Sequence, residues 1–240
     1  MRRYLGKTVN IVIDRPMGSS HPDHPELIYT VNYGYVPEII GGDGEEQDVY
    51  LLGVDEPVNE YTAKIIGIVH RDNDVEDKLV AAPEGMIFDQ AQIAEAVDFQ
   101  ERFFDSRYES LYPKSCGAIV YRRAGEGVEY LCLKQTSGVY STPKGHMEAY
   151  ETEAETARRE IFEEIGLHLE LDTSFRFVTD YNLRGGKVKT LVLFISECTG
   201  ELNIDPGEIT EHSWLSYTEA REILPHWYTE ALEKVNEMLK

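Results

Sequence analysis

Along the first eighty residues, short β-branched or aromatic runs alternate with turn signals. Runs at residues 9–13, 27–31, 49–54 and 63–69 are separated by Gly, Pro, Asn and Asp clusters, a pattern that predicts a small, mainly antiparallel barrel or meander. From residue 88 to 108 the period changes. Ile93, Ala96, Val97, Phe99 and Phe103 recur at helical spacing and predict one helix ending near Asp105. The stretch 109–115 breaks that helix, with Pro113 as its punctuation, so a boundary is expected there. Beyond it the pattern predicts strands at 116–122 and 129–135, a loop to Tyr150, and a helix over about 151–165. Strands near 175–181, 188–197 and 211–215 follow, then two helical pieces parted at Pro225. The expected architecture is two domains: a small, mainly-β barrel with one helix at residues 1–110, and an α/β sandwich with helices packed on a mixed sheet at residues 113–240.

Composition supports this picture. The chain has 240 residues, 42% of them hydrophobic and 28% charged, which is long enough for two cores and ordinary for a globular protein. Its formal net charge of -21 is shared by both halves: 9 basic against 22 acidic residues in 1–110, and 14 against 22 in 111–240. That balance argues against a surface that tracks long nucleic acid or anionic lipid, so any phosphate partner must meet a locally basic or metal-bearing site. Cys116, Cys132 and Cys198 show neither a CxxC pair nor metal-ligand spacing and read as buried free thiols. Arg2 and Arg3 are not followed by an apolar stretch, and the longest apolar run, residues 191–195, is far too short to span a bilayer. A cytoplasmic location is expected, and the oligomeric state is left open.

The chemistry concentrates on the predicted helix of the second half. Glu160, Glu163 and Glu164 stand at i, i+3 and i+4, so their carboxylates share one face, within reach of a common divalent cation. Three like charges there repel unless a cation lies between them. Hard oxygen ligands favour Mg²⁺, with Mn²⁺ able to substitute. A Glu-rich helix face is more often simply solvated, which is the expectation for Glu153, Glu155 and Arg158.

Together Gly145, Glu151, Arg159, Glu160, Glu163, Glu164 and Gly166, with the aliphatic Ile161 and Leu167, match the Nudix box at every position. By average residue usage, a chance match is on the order of one in a million. Residues 116–220 therefore resemble a Nudix hydrolase domain. The resemblance implies metal-dependent hydrolysis of a nucleoside or dinucleoside polyphosphate, with metal at Glu160, Glu163 and Glu164 and with Glu151 and Arg159 bracing the loop against the helix. The stretch at residues 141–148, residues 116–122 and residues 187–190 look like the bis(5′-nucleosyl)-tetraphosphatase branch. Lys144, Lys187 and Lys189 would then supply point charges to a long polyphosphate, and Tyr181 would stack on a purine. Glu208 matches the place of an additional carboxylate that binds metal or acts as general base. On this reading diadenosine tetraphosphate gives ATP and AMP.

In the first half, residues 29–37, the acidic loop Asp43, Glu45 and Asp48, and later Glu76 and Lys78 resemble the β-barrel soluble inorganic pyrophosphatases over roughly residues 7–105. The resemblance implies metal at Asp43, Glu45, Asp48 and Glu76, phosphate contacts from Tyr33 and Lys78, and pyrophosphate as a second ligand. Departures stand beside it. The family's early Lys-x-Glu hairpin has no counterpart, Phe103 and Phe104 replace its late Tyr-Lys pair, Arg15 is the one basic candidate, and Asp72 and Asp74 compete for a second metal position. Two rivals to the dinucleoside reading remain: a nucleoside triphosphate or nucleotide-sugar pyrophosphohydrolase coupled to an active pyrophosphatase, and a nucleotide sensor that binds without turnover.

Overall fold

A computed structural model describes residues 1–125 and 127–240. The chain packs as two units, Met1–Pro113 with Leu183–Val188, and Lys114–Asn182 with Lys189–Lys240.

In the first unit, β1 (Thr8–Arg15), β2 (Asn32–Ile40), β3 (Glu46–Leu51), β4 (Glu60–Arg71) and β5 (Lys78–Ala82) form a closed barrel in the order β1-β2-β3-β5-β4, sealed by β4 on β1. Closure removes the exposed edges that an open sheet of this size would present. The pairs are antiparallel except β3 with β5. Ile11, Val49, Leu51, Ile65, Ile68 and Leu79 fill the barrel. Helix α1 (Gln90–Glu101) starts at a capping box of Asp89 and Gln92, which satisfies the first free N–H groups. It buries Ile93 and Val97 against Tyr29, Tyr50, Ile66 and Val80.

Two expectations fail here. Residues 27–31 are not a strand; Tyr29 exchanges backbone bonds with Gly18 and Ser19 in a loop, and β2 begins only at Asn32. The buried Asn32 amide anchors that point, accepting from the Met17 and Val58 N–H groups and donating to the Val54 and Glu56 carbonyls. The helix also stops at Glu101, four residues early, and the residues between its expected end and the start of the breaking stretch form most of a strand, β6 (Ser106–Ser110), paired with β4. Apolar spacing continued through Phe103, but cross-strand partners decided the local structure.

In the second unit, β7 (Lys114–Ala124), β8 (Gly127–Gln135), β11 (Asp172–Asn182), β12 (Val188–Glu197) and β13 (Ile209–Leu215) form a mixed sheet in the order β11-β12-β7-β8-β13, with short β9 (Tyr140–Ser141) on β8 and β10 (Lys144–His146) on β7. Strand β12 runs parallel to β7, and β8 is antiparallel to both β7 and β13. Side chains alternate across the sheet. Cys116, Ala118, Val120, Leu131, Leu133, Val192 and Phe194 face Ala157, Ile161 and Ile165 of α2 (Glu153–Ile165). Ile119, Tyr130, Cys132, Leu191, Leu193 and Ile195 face α3 (Tyr217–Ile223) and α4 (Thr229–Met238). Both faces are covered, which is why residues 191–195 read as one unbroken apolar run.

The three cysteines are buried and free, and burial pushes the Cys132 thiol up to about 12. Among the described residues, no helix is long and apolar enough to cross a membrane.

Candidate active site

Helix α2 is capped at both ends. Thr152 and Glu155 form a capping box, and Gly166 ends the helix at φ 70°, a left-handed backbone that glycine adopts without a Cβ penalty. Its buried stripe of Ala157, Ile161 and Ile165 sets the helix rotation, and the same rotation turns Glu160 and Glu164 inward, 8% and 1% exposed. Glu163 stays at the solvent rim, its side chain 52% exposed.

Strand β10 and the loop that leads from it to α2 close over these carboxylates. Glu164 Oε2 accepts the Lys144 N–H at 3.0 Å. Gly145 lies so close to Glu160 that a Cβ there would fall 1.9–2.1 Å from its carboxylate atoms, so the loop position admits only glycine without displacing Glu160. Arg159 ties the loop to the helix. Its Nε and Nη2 bond Glu151 at 2.6 and 2.9 Å, Nη2 also reaches the His146 carbonyl at 2.9 Å, and Nη1 bonds Glu160 at 2.8 Å and Glu163 at 2.9 Å. Hydrogen bonds from Arg159 hold the Glu151 carboxyl down at about 2 and raise the arginine in turn.

The buried carboxylates behave differently. Burial pushes Glu164 up to about 8 in spite of Lys144, with Glu160 and the exposed Glu208 adding to the rise. Burial raises Glu160 too, against the pull of Arg159. Negative charge here is therefore under-compensated by the protein's own groups. The donor set of hard carboxylate oxygens on one buried face fits a divalent cation. Among the described residues, no three His, Cys, Asp or Glu side chains stand close enough to hold one as they are, and the Arg159 contacts to Glu160 and Glu163 show what must yield for them to converge.

The predicted substrate groups divide. Lys144 is beside Glu164 and Glu160. Lys189 lies under the same loop, its Nζ 3.2 Å from His146 Nε2, and burial, with Lys144 nearby, draws its ammonium down to about 8. Lys187 belongs elsewhere. It precedes β12 in a turn that packs with the first unit, and its ammonium pairs with Glu109 at 2.7 Å. Tyr181 is half-buried and stacked on Trp227, ring centroids 4.3 Å apart and 3° from parallel. Trp227 was missed as a site candidate because 45 residues separate the two rings; its one signal is an aromatic cluster just after Pro225. Glu153, expected to be solvated, instead pairs with Arg176 at 2.7 Å, whereas Glu155 and Arg158 are exposed.

In the barrel, Asp48, Glu76, Lys78 and Tyr33 come together. Lys78 Nζ bonds Asp48 at 2.5 Å and also Glu76, and both Lys78 and Glu76 are buried. The Gln47 amide donates to Glu76 at 3.0 Å. Burial raises Glu76, with Lys78 opposing and Asp48 and Asp43 adding. The Tyr33 hydroxyl meets Asp48, and burial first, then that carboxylate, raises it. Asp43 accepts the Glu45 N–H at 2.9 Å in an exposed turn, and Glu45 itself is exposed. Both candidates for the second metal position are bound to arginines: Asp72 to Arg107 at 2.7 Å and Asp74 to Arg71 at 2.9 Å.

A β-sheet flanked by helices, with a glycine-closed loop and a triad of glutamates on one of them, is the architecture of a phosphoanhydride hydrolase. The NUDIX domain model matches residues 111–235, and the chain belongs to the NUDIX family. It is 31% identical over 121 residues to the asymmetrical bis(5′-nucleosyl)-tetraphosphatase of Mus musculus, spanning 45% of this chain and 81% of that protein. It is also 30% identical over 131 residues to an inorganic pyrophosphatase of Saccharolobus solfataricus, spanning 44% of this chain and 76% of that one. The fold is similar to that of the C. elegans Ap4A hydrolase binary complex, with a TM-score of 0.50 and 22% identity over 53% of this chain and 97% of that chain.

Proposed function

We propose that the chain hydrolyses a dinucleoside polyphosphate such as diadenosine tetraphosphate, yielding ATP and AMP. The observation that carries the reading is the pair of buried, under-neutralised carboxylates Glu160 and Glu164 beneath the Lys144–Gly145 loop, in a chain similar to a bis(5′-nucleosyl)-tetraphosphatase. Glu160, Glu163 and Glu164 would hold Mg²⁺, with Mn²⁺ able to replace it; when bound, the cation supplies neutralisation of phosphate charge and acidification of water. Arg159 holds Glu151, Glu160 and Glu163 in register with the loop. Lys144 and Lys189 take up negative charge developing along the phosphates, and Glu208, near Glu164, accepts the proton of the attacking water. The Tyr181–Trp227 pair offers an aromatic face to a base.

A second reading rests on the likeness to an inorganic pyrophosphatase: nucleoside triphosphate or nucleotide-sugar cleavage, with pyrophosphate consumed by metal at Asp43, Glu45, Asp48 and Glu76. Lys78, already bonded to two of these, weighs against hydrolysis in the barrel. Buried free thiols suit a reducing cytoplasm, and the acidic balance suits neither long nucleic acid nor a membrane surface as partner.

A product-resolved assay with Mg²⁺, offering diadenosine tetraphosphate, nucleoside triphosphates, nucleotide sugars and pyrophosphate, decides among these. ATP plus AMP is expected, reduced about 100-fold or more in Glu163→Gln. Monophosphate with orthophosphate would move the assignment to the coupled reading. Binding without turnover would make the protein a sensor.

A further inference from the structure

Strand β11 (Asp172–Asn182) is an edge of the second unit's sheet: among the described residues its one strand neighbour is β12. At 11 residues it is about twice the ordinary strand length. It carries neither proline nor lysine, the residues that commonly keep an edge from pairing. Residues 183–187 join it to β12 as a hairpin, closed by the Leu183 N–H donating to the Lys187 carbonyl at 2.8 Å. Bonded pairs recur at every second residue of an antiparallel ladder, so the odd positions turn their backbone groups to β12. The N–H and C=O groups of Ser174, Arg176, Val178, Asp180 and Asn182 therefore point outward, away from the sheet.

The side chains alternate in step. Phe175, Phe177, Thr179 and Tyr181 are half-buried, and the three rings pack toward α3 and α4, whereas the even positions from Ser174 to Asn182 are exposed. Val178, at the middle of these, is 41% exposed. Arg176 uses Nε and Nη2 on Glu153, and Asp180 accepts the Thr190 hydroxyl through Oδ1. Arg176 Nη1 and Asp180 Oδ2 are not engaged among the described residues, so both side chains can take a further partner without breaking a bond they already make.

We infer that β11 is a homodimer interface, on which β11 of a second copy adds antiparallel about a two-fold axis through Val178. An isologous contact pairs the strand with itself, and the outward parity restricts its centre to an even position. Centring on Val178 sets Arg176 of each copy opposite Asp180 of the other and joins residues 174–182. On the other face of the sheet the half-buried Phe175 and Tyr181 come opposite each other, an aromatic cross-strand pair made twice. Centring on Arg176 would set Arg176 on itself and Asp172 against Asp180, centring on Asp180 would set two aspartates together, and centring on Ser174 would join residues 172–176 only. One register thus combines the longest ladder with opposite charges, which makes the edge complementary to a second copy of itself rather than to an arbitrary peptide.

The test is sedimentation velocity of the full chain and its variants over a concentration series. The wild type, 27.4 kDa per chain, should double in mass with a Kd on the order of 10 µM. Val178→Pro removes an outward N–H that β12 does not use, so the chain should fold and dimerise about 100-fold more weakly. Arg176→Asp and Asp180→Arg each set like charges face to face, and each should weaken the dimer about tenfold or more. An equimolar mixture of these two should regain a dimer within about threefold of wild type, since every charge at the two positions then meets its opposite. A wild type still monomeric at about 1 mM overturns the inference and leaves the edge to a strand from another protein. So does a Val178→Pro dimer as tight as wild type, or a mixture no tighter than its parts. If circular dichroism shows that Val178→Pro is unfolded, the mixture alone decides.

Discussion

The barrel and the α2 site each bury carboxylates in an acidic protein, and they meet the charge in opposite ways. In the barrel the counter-charge is covalently tethered: Lys78 sits between Asp48 and Glu76, and Arg71 is buried against Glu101 at 2.5 Å with the Tyr50 hydroxyl on the same carboxylate. At α2, Glu164 accepts the Lys144 backbone N–H and is pushed up to about 8 by burial, while Arg159 is shared among Glu151, Glu160 and Glu163. A cluster neutralised from within has little reason to recruit a diffusible cation. One left short of positive charge has every reason to.

The largest expected effect comes from removing the tether. Lys78→Ala leaves Glu76 and Asp48 without their ammonium, and equilibrium urea unfolding should show a loss of about 3–5 kcal/mol, the usual consequence of breaking a buried ion pair. Partial recovery on adding Mg²⁺ would sharpen the contrast, because a diffusible cation would then replace the tethered one; unchanged stability would end it. Gly145→Ala addresses the other site. The new Cβ must displace the Glu160 carboxylate, a flexible side-chain end, so turnover should fall about tenfold, equivalent to about 1.4 kcal/mol, with a much smaller change in melting temperature. Activity and stability falling together would mean that the glycine serves packing alone.

The smallest effect is a pH dependence on the barrel side. Glu109 is mostly buried, and although burial alone would raise it, hydrogen bonds from Lys187, Arg2 and His70 hold its carboxyl down to about 2. A folded-state value below the unfolded one contributes stability that is complete above about pH 4.5 and is lost as pH falls toward 2, because the unfolded chain then binds the proton first. Acid unfolding monitored over that window should show Lys187→Met losing about 1 kcal/mol less than wild type. Equal slopes would remove Lys187 from the pairing.

The second half was largely legible before folding. Its central strands read as continuous apolar runs, β11 follows period two, its helix follows period 3.6, and the glutamates of α2 share a face because i, i+3 and i+4 must. Thr152, Glu155 and Gly166 mark the helix ends within a few residues. The first half was legible as a barrel but not in its details. Residues 27–31 have strand composition, yet the Asn32 amide anchors the following segment, and β6 exists because β4 offers it partners.

The sequence by itself determined the family, the helix that carries the acidic face, and the placing of Gly145, since these depend on residue types at fixed short spacings. Only the tertiary structure decided which charges are answered. Glu76 with Lys78, Glu109 with Lys187, and Tyr181 with Trp227 are pairs chosen by strand register and loop packing. Nothing local in the chain states that Lys187 will bind a carboxylate while Lys189, two residues on, is half-buried beside His146. On an extended chain the two would share a side, but Lys187 lies in the turn before β12 and Lys189 within the strand, and what each meets is set by distant segments.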